Sequence, residues 1–528
     1  MTKIPSSLSQ TPNPTITTPT SAPCRIRPEP QATLGDKFEN AAFYGLDSAL
    51  GALARSGFAA PTIHNGVKLL QKAGFASGHA PEWYDSIANS ASKLFEAEYR
   101  RRPNRPSFED LSAKHIFNMR TGSEMGKELK ANDAFHDASF VSELENISHA
   151  KFSDGNKVSF LIDGPQAFEK RFELIDQAKE SIYLLVWYIY PDATGKEISR
   201  RIAAKASEGV DVKIIVDGKI AMRSSGKETL KVMEEAGAKI IRLTDPEDES
   251  IGNHAKLLIV DNKAAVAGGM NTGNFYSHAH KVDSNYKGEK WRDTDILVEG
   301  PAVVDSLALF ADYWNGQVFA HNYDLPPVSG NRNELLAKVG TPGKSKTSIV
   351  SHVPKGGQHY VYNSLMKAVE GATKSIEIEN AYFLTLPGME QLLEAALMRG
   401  VKVRIFTNSN LTVDEPLAAE PIMNSLPALA EVGAEIFIKK GDTLHSKFMV
   451  VDDSFASVGS FNLHPRSLHY DMEMAVNVID PEAATCLRQT FDNDIRKEVA
   501  KPIKTMDDMK IESTWFNRFI ERFFYDHL

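Results

Sequence analysis

The chain has 528 residues, 42% of them hydrophobic and 24% charged, with a net charge of −9. That is enough apolar material for two large domains and an extension. The acidic balance argues against a protein whose main partner is a nucleic-acid backbone, and two cysteines, Cys24 and Cys486, exclude a disulfide framework and favour a reducing compartment.

Residues 1–35 are rich in Pro, Ser and Thr, hold no acidic residue before Glu29, and are expected to form a disordered tail. They show neither the apolar core nor the cleavage box of a secretory signal. Residues 36–150 read as a helical extension of unassigned role, with a basic run at Arg100-Arg-Arg-Pro-Asn-Arg. Within it Ala41–Ala60 is the nearest approach to a membrane span, but Asp47 and Arg55 interrupt it. From residue 151 onward strand-like runs alternate with helical patterns such as Gly195–Ala206 and Met389–Met398, which predicts an α/β layout with helices flanking mixed sheets. The last segment, 505–528, places Trp515, Phe516, Phe519, Ile520, Phe523 and Phe524 opposite Asn517, Arg518, Glu521 and Arg522. That pattern predicts an amphipathic helix, which either docks on the protein's own core or lies in the headgroup layer of a bilayer.

The α/β region is written twice. Ala178-Lys-Glu-Ser181-Ile-Tyr-Leu recurs as Ala372-Thr-Lys-Ser375-Ile-Glu-Ile, and Glu208-Gly-Val210 recurs as Arg399-Gly-Val401. Val210 precedes His254 by 44 residues, and Val401 precedes His445 by the same 44. Residues 151–330 and 345–500 are therefore expected to be two fused domains related by a pseudo-two-fold axis.

Each repeat carries one cassette. His254-Ala-Lys256, Asp261 and Gly268-Gly269-Met270-Asn271 match His445-Ser-Lys447, Asp452 and Gly459-Ser460-Phe461-Asn462, residue for residue in spacing. On a strand, i and i+2 share a face, so each His projects with its Lys. LLIVD and FMVVD then run into turns, and AAVAGG and FASVGS return, so each cassette predicts a β-hairpin. An imidazole supplies nucleophilic or acid–base chemistry, while Lys and Asn supply donors for an oxyanion. Two such sets suit one phosphoryl group held between them.

Asp261 and Asp452 complete the two cassettes, but at the ends of apolar runs they fit fixing a turn or partnering a Lys better than acid–base work. Asp293 and Glu473 each lie eight residues before a Pro, at equivalent places in the repeats, where a buried carboxylate could hold the Nδ1 proton of each His. Asp295 competes with Asp293 for this role. Ser460 could donate to the phosphate; Gly269, in the matching place, cannot. His278 and His280 lack accompanying ligands, so no metal and no cofactor are expected.

The doubled HxKxxxxD pattern with GG/GSxN resembles the phospholipase D superfamily. Trp291-Arg-Asp293-Thr-Asp295, Asp312-Tyr-Trp314-Asn, Asn462-Leu-His-Pro-Arg466-Ser467-Leu and Thr407-Asn-Ser-Asn are similar to bacterial cardiolipin synthases of the type without transmembrane anchors. The resemblance runs from about residue 155 to about residue 500. It implies a metal-independent phosphatidyltransferase in which one His forms a phosphohistidine and the other acts as acid and base. The family's order gives the nucleophile as His254. Lys256, Lys447, Asn271 and Asn462 would stabilise the phosphate oxygens. It further implies phospholipid substrates at a membrane surface, in the cytoplasm or peripheral at the inner membrane, with Asn380-Ala-Tyr382-Phe383-Leu384 as a candidate wall for acyl chains. The alternative is a hydrolytic phospholipase D, including one secreted as an effector. A phosphodiesterase acting on nucleic acid is disfavoured by the charge.

Overall fold

The computed structural model of the chain describes residues 134–505 and 508, apart from 222–226, 246–247, 249–250, 387 and 416–417. The expected tail, most of the expected extension and the C-terminal amphipathic helix lie outside the described residues. All described residues belong to the compact unit 92–528.

The first repeat builds β1 (Ser153–Ile162), β2 (Ser181–Val186), β3 (Asp211–Asp217), β4 (Lys239–Leu243), β5 (Gly252–Asn253), β6 (Leu257–Val260), β7 (Ala264–Gly268) and β8 (Thr294–Glu299). The second builds β9 (Ser345–His352), β10 (Ser375–Asn380), β11 (Lys402–Thr407), β12 (Glu435–Lys439), β13 (Lys447–Val451), β14 (Phe455–Gly459), β15 (Asp471–Ile479) and β16 (Ala500–Pro502). The strands join in one sheet, ordered β4-β3-β2-β6-β7-β8-β1 and then β9-β15-β14-β13-β10-β11-β12-β16. Reading outward from the β1–β9 junction, the two halves repeat one another, and β16 is an addition at the outer edge. Helical crossovers make β2, β3 and β4 parallel, while hairpins make β6, β7 and β8 antiparallel.

The junction itself is thin. β1 and β9 pair only at Ser153↔Thr347 and Asn156↔Ser345, with a register shift between. What joins the halves is a shared core. Helix Ala302–His321 contributes Phe310 and Trp314, helix Pro481–Asp494 contributes Leu487 and Phe491, and these pack with Ile296 and Val298 of β8 and Val476 and Val478 of β15. Both helices are apolar on the sides they bury, so neither repeat could expose its own without a large loss of hydrophobic stabilisation.

Each repeat also has an outer core of its own. The one on the second repeat takes in Phe140 and Leu144 of helix Ala138–Ser148, where the expected extension ends. Asp137 caps that helix by accepting from the backbone N–H groups of Ser139 and Phe140, both at 2.9 Å. Phe135 stacks on Phe455, with ring centroids 4.9 Å apart. Among the described residues no helix is long and apolar enough to cross a membrane.

The cassette hairpins form as the pattern requires. β6 pairs with β7 and β13 with β14, through turns whose central residues all have positive φ: Asp261 (53°) and Asn262 (52°), then Asp452 (56°) and Asp453 (53°). Two successive positive φ values match the right-handed strand twist, and Asp and Asn tolerate them best among residues with a side chain.

The two turn aspartates are not with the histidines. Lys256 and Asp261 sit at opposite ends of β6, roughly 16 Å apart along an extended strand. The Asp261 carboxylate accepts from the backbone N–H groups of Lys179, Glu180 and Ser181, fastening the start of β2. The Asp452 carboxylate does the same for β10, accepting from Thr373, Lys374 and Ser375 N–H at 2.6, 2.7 and 2.9 Å and from the Thr373 hydroxyl. Their contacts explain their place in the cassette by folding, in line with the turn-fixing reading rather than with a part in catalysis. Asp452→Ala should therefore cost about 3 kcal/mol of folding stability, visible as a lowered Tm. Turnover per folded molecule should persist at low temperature; a variant of parental stability that is catalytically dead would return this Asp to the chemistry.

Candidate active site

The residues before β6 and β13 are extended, and each lies along the carboxylate-bearing strand of the other repeat. Gly252 and Asn253 pair in parallel with Asp471 and Met472, and His254 N–H donates to Met472 O at 2.9 Å. On the other side Leu444 bridges Arg292, and His445 N–H donates to Arg292 O at 2.7 Å. Each imidazole thus arrives one residue short of the opposite repeat's carboxylate.

The side chains complete the exchange. His254 Nδ1 lies 2.9 Å from Glu473 Oε1, and His445 Nδ1 lies 2.8 Å from Asp293 Oδ2. When these carboxylates are ionised they accept, so that Nδ1 carries the proton and Nε2 keeps its lone pair free for chemistry. Both carboxylates are fully buried. Ser467 Oγ donates to Glu473 Oε1 at 2.6 Å, and Thr294 N–H donates to Asp293 Oδ1 at 2.7 Å. Asp295 is taken by Arg171, at 2.5 Å, and by the backbone N–H of Met270. It therefore does not compete with Asp293 for a histidine.

The lysines share each histidine's face, as the i, i+2 spacing requires. Lys256 Nζ donates to His254 O at 2.5 Å, and Lys447 Nζ donates to His445 O and lies 2.9 Å from His445 Nδ1. Lys256 feels Glu473, Lys447 and Asp293, and His445 feels both lysines and His254, so the four groups form one electrostatic site. Burial dominates their titration. It holds both imidazoles well below their ordinary value, helped by the neighbouring lysines. Desolvation also brings Lys256 down to about 7 and Lys447 to about 8, and pushes Asp293 and Glu473 upward. Burial thus favours the neutral form of each group in the empty site.

The two asparagines flank this centre. Asn271 Nδ2 lies 3.1 Å from Tyr276 Oη, and the Oδ1 atoms of Asn271 and Asn462 are buried without a partner among the described residues. Ser460 is occupied otherwise than expected. Its Oγ accepts from Met474 N–H at 3.0 Å and bonds to Glu473. Gly269 has a steric reason: a Cβ there would come within 2.3 Å of Asp293 Oδ1. The shorter carboxylate brings its oxygens close to the backbone and needs Gly, whereas the longer Glu473 leaves room for Ser460.

Tyr276 is not singled out by the sequence, and Trp291 and Ser467 enter there only through the resemblance, without a role. Tyr276 stands edge-on to His445 with centroids 5.1 Å apart, and Trp291 stacks on it at 5.3 Å. Tyr276 and Ser467 each lie five residues after a cassette Asn, so aligning the repeats could have raised them. His278 bonds to Trp291 O, and His280 lies 3.8 Å from Glu169, which keeps both out of the centre. The segment from Ala381 to Leu384 is buried, with Phe383 in the second repeat's core, so it does not offer the expected apolar wall. Among the described residues no group of three or more His, Cys, Asp or Glu is arranged to hold a metal ion.

Known proteins resemble the chain in sequence and in fold. Residues 172–285 and 365–495 match the family described as "Cardiolipin synthase, PLD-like domain". The chain is 27% identical to the cardiolipin synthase of Listeria monocytogenes over 410 residues, covering 73% of this chain and 82% of that one. It is 27% identical to the major cardiolipin synthase ClsA of Bacillus subtilis over 409 residues, with the same coverage. Among solved structures, the phosphatidylserine synthase of Haemophilus influenzae shares the fold at a TM-score of 0.58 and 17% identity, covering 73% of this chain and 97% of that one.

The electrostatics make a testable statement about anion binding. A lysine whose pKa is depressed in the empty site is charged below that value and neutral above it. An anion between the lysines raises both pKa values, so binding takes up protons and weakens as pH rises. The inhibition constant of dimethyl phosphate, which does not titrate in this range, should rise several-fold from about pH 6 to about pH 9. Calorimetry in buffers of different ionisation enthalpy should show proton uptake; a pH-independent constant with no uptake would mean the lysines stay charged throughout.

Proposed function

We propose that this chain, read as a member of the phospholipase D superfamily, is a cardiolipin-synthase-like phosphatidyltransferase acting through a phosphohistidine. Residues 151–330 and 345–500 act as its two phospholipase D-like domains, which share one active site. The observation that carries the reading is the pair of exchanged Nδ1–carboxylate contacts, which leave two imidazole Nε2 atoms free in one buried, lysine-lined centre.

In the first step Nε2 of one histidine attacks the phosphodiester phosphorus and the bond to the headgroup alcohol breaks. The other histidine, protonated, gives its proton to the departing oxygen. In the second step that histidine, now neutral, removes the proton of the acceptor hydroxyl, whose oxygen displaces the imidazole and restores the phosphodiester. Splitting one displacement into two is what covalent catalysis gains. The family's order assigns attack to His254, which is also the more exposed imidazole, its side chain 15% exposed against 5% for His445. Lys256 and Lys447 offset the charge on the equatorial oxygens. Half a turn of the Asn271 amide would let Tyr276 donate to Oδ1 and release Nδ2 for the same purpose. With phospholipids as substrates, the protein works at a membrane surface without spanning it by any described helix.

If the two imidazoles belong to one site, His254→Ala and His445→Ala should each abolish turnover, and the double variant should be no worse than either. Half activity in a single variant would instead mean two independent sites. The acceptor is tested separately. Vesicles containing phosphatidylglycerol, with or without phosphatidylethanolamine, should yield more cardiolipin than phosphatidic acid by mass spectrometry. Phosphatidic acid as the sole product at every composition would replace transfer with hydrolysis, the residue roles staying as they are.

A further inference from the structure

The repeat makes one flank of the site a control for the other. Around His445, the residue four after the cassette Asn is Phe275, and the residue two before the carboxylate is Trp291. Around His254 those places are held by Arg466 and Asp471. Nine residues beyond Val210 stands Lys219, whereas nine beyond Val401 stands Asn410. One flank is aromatic; the other has two cations in addition to Trp187, whose ring lies 6.4 Å from that of His254.

These cations have donors to spare. Arg466 Nε donates to Asp471 Oδ2 at 3.1 Å, while its Nη atoms and Lys219 Nζ meet no acceptor among the described residues. Two of the three acids that act on Lys219 have other partners. Asp217 accepts from Ile220 and Asn253 N–H at 3.0 and 2.9 Å, and Asp471 holds the Arg466 Nε. Gly252 ties the group together, since a Cβ there would lie 3.1 Å from Asp217 Oδ2, 3.2 Å from Asp471 Oδ1 and 3.7 Å from Arg466 Nη2. Lys219 is held below its ordinary pKa by burial first and by Arg466 second, with Asp217, Asp471 and Asp248 pulling the other way. Two half-buried cations close enough to repel are stabilised by an anion between them. His254 feels Arg466 and Asp471 directly, so the pair lies beside the catalytic centre.

We infer that Arg466 and Lys219 form a second anion subsite on the His254 flank, which takes the phosphate of the acceptor phospholipid. The inference rests on the phosphatidyltransfer reading and deepens it. A hydrolase needs one phosphate at a time, whereas a transferase joining two phospholipids must hold a second while the first is bound to histidine.

The experiment compares sn-glycerol 3-phosphate with glycerol as inhibitors of bis(p-nitrophenyl) phosphate turnover by the full chain. It uses the parent, Lys219→Ala and Lys219→Arg. The readout is the ratio of the two inhibition constants within each protein, so any general loss of activity cancels. The parent should prefer glycerol 3-phosphate, Lys219→Ala should lose about tenfold of that preference, and Lys219→Arg should recover it, as expected for one charge-assisted hydrogen bond. On phosphatidylglycerol vesicles the cardiolipin to phosphatidic acid ratio should fall in Lys219→Ala in parallel. An unchanged inhibition ratio overturns the subsite. A changed inhibition ratio with an unchanged product ratio overturns its assignment to the lipid and leaves a site for free phosphate esters. A parent that makes no cardiolipin, yet shows the inhibition shift, keeps the anion subsite and overturns the transferase reading together with the lipid assignment.

Discussion

Everything in the centre depends on two imidazole–carboxylate contacts made crosswise, His254 with Glu473 and His445 with Asp293. Neither repeat holds both members of a pair. A repeat folded alone would have a histidine without its orienting acceptor and a carboxylate, buried at 0% exposure in the joined form, without its donor. An unpaired buried polar group costs on the order of 1–3 kcal/mol or more. The crossed contacts therefore favour assembly as well as chemistry, and the apolar core shared by helices Ala302–His321 and Pro481–Asp494 supplies the larger part of the attraction. Function and association are fastened at the same residues.

Joining the repeats also removes water from six ionisable groups at once, and this sets the character of the site. Two histidines and two lysines are held below their ordinary pKa values and two carboxylates above theirs, with burial the leading cause in each. The empty centre keeps its charges muted. In the proposed reaction a phosphodiester would restore the positive charge of the lysines where negative charge grows in the transition state, in surroundings of low dielectric where that interaction is strong. The folding cost of burying such groups is the complement of their catalytic usefulness.

Much of this was legible in the sequence because the signal came twice. The hairpins, the shared face of His and Lys, the helix Met389–Met398 and the equivalence of Asp293 with Glu473 all follow from spacing and period. Spacing cannot say which repeat a carboxylate serves, because a pseudo-two-fold partner offers the same residue at the same place, and only the packing shows the exchange. Asp261 and Asp452 look catalytic in a linear motif since a motif records co-occurrence, not position along a strand; their backbone contacts show them fastening β2 and β10. The apolar run at Ala381–Leu384 has the composition of a lipid-facing wall and of a core alike, and composition does not distinguish them. The dependence of Gly269 on Asp293 needed an atomic distance.

Duplication gives two equal half-sites, but a two-step displacement needs unequal ones. The inequality is concentrated in a few positions. Asp293 with Gly269 opposes Glu473 with Ser460, and Tyr276 with Trp291 opposes Ser467 with Asp471. His445 is enclosed by aromatic rings and nearly shut off from solvent, whereas His254 opens onto a polar, cation-bearing flank. An imidazole that must give its proton to a departing alcohol gains from enclosure, because the lowered pKa makes its protonated form the stronger acid. An imidazole that must meet phosphorus gains from an open approach and from nearby positive charge that draws the phosphate in. The same division agrees with His254 as nucleophile and His445 as acid and base, and it arises from side chains around the cassettes, since the cassettes themselves differ little.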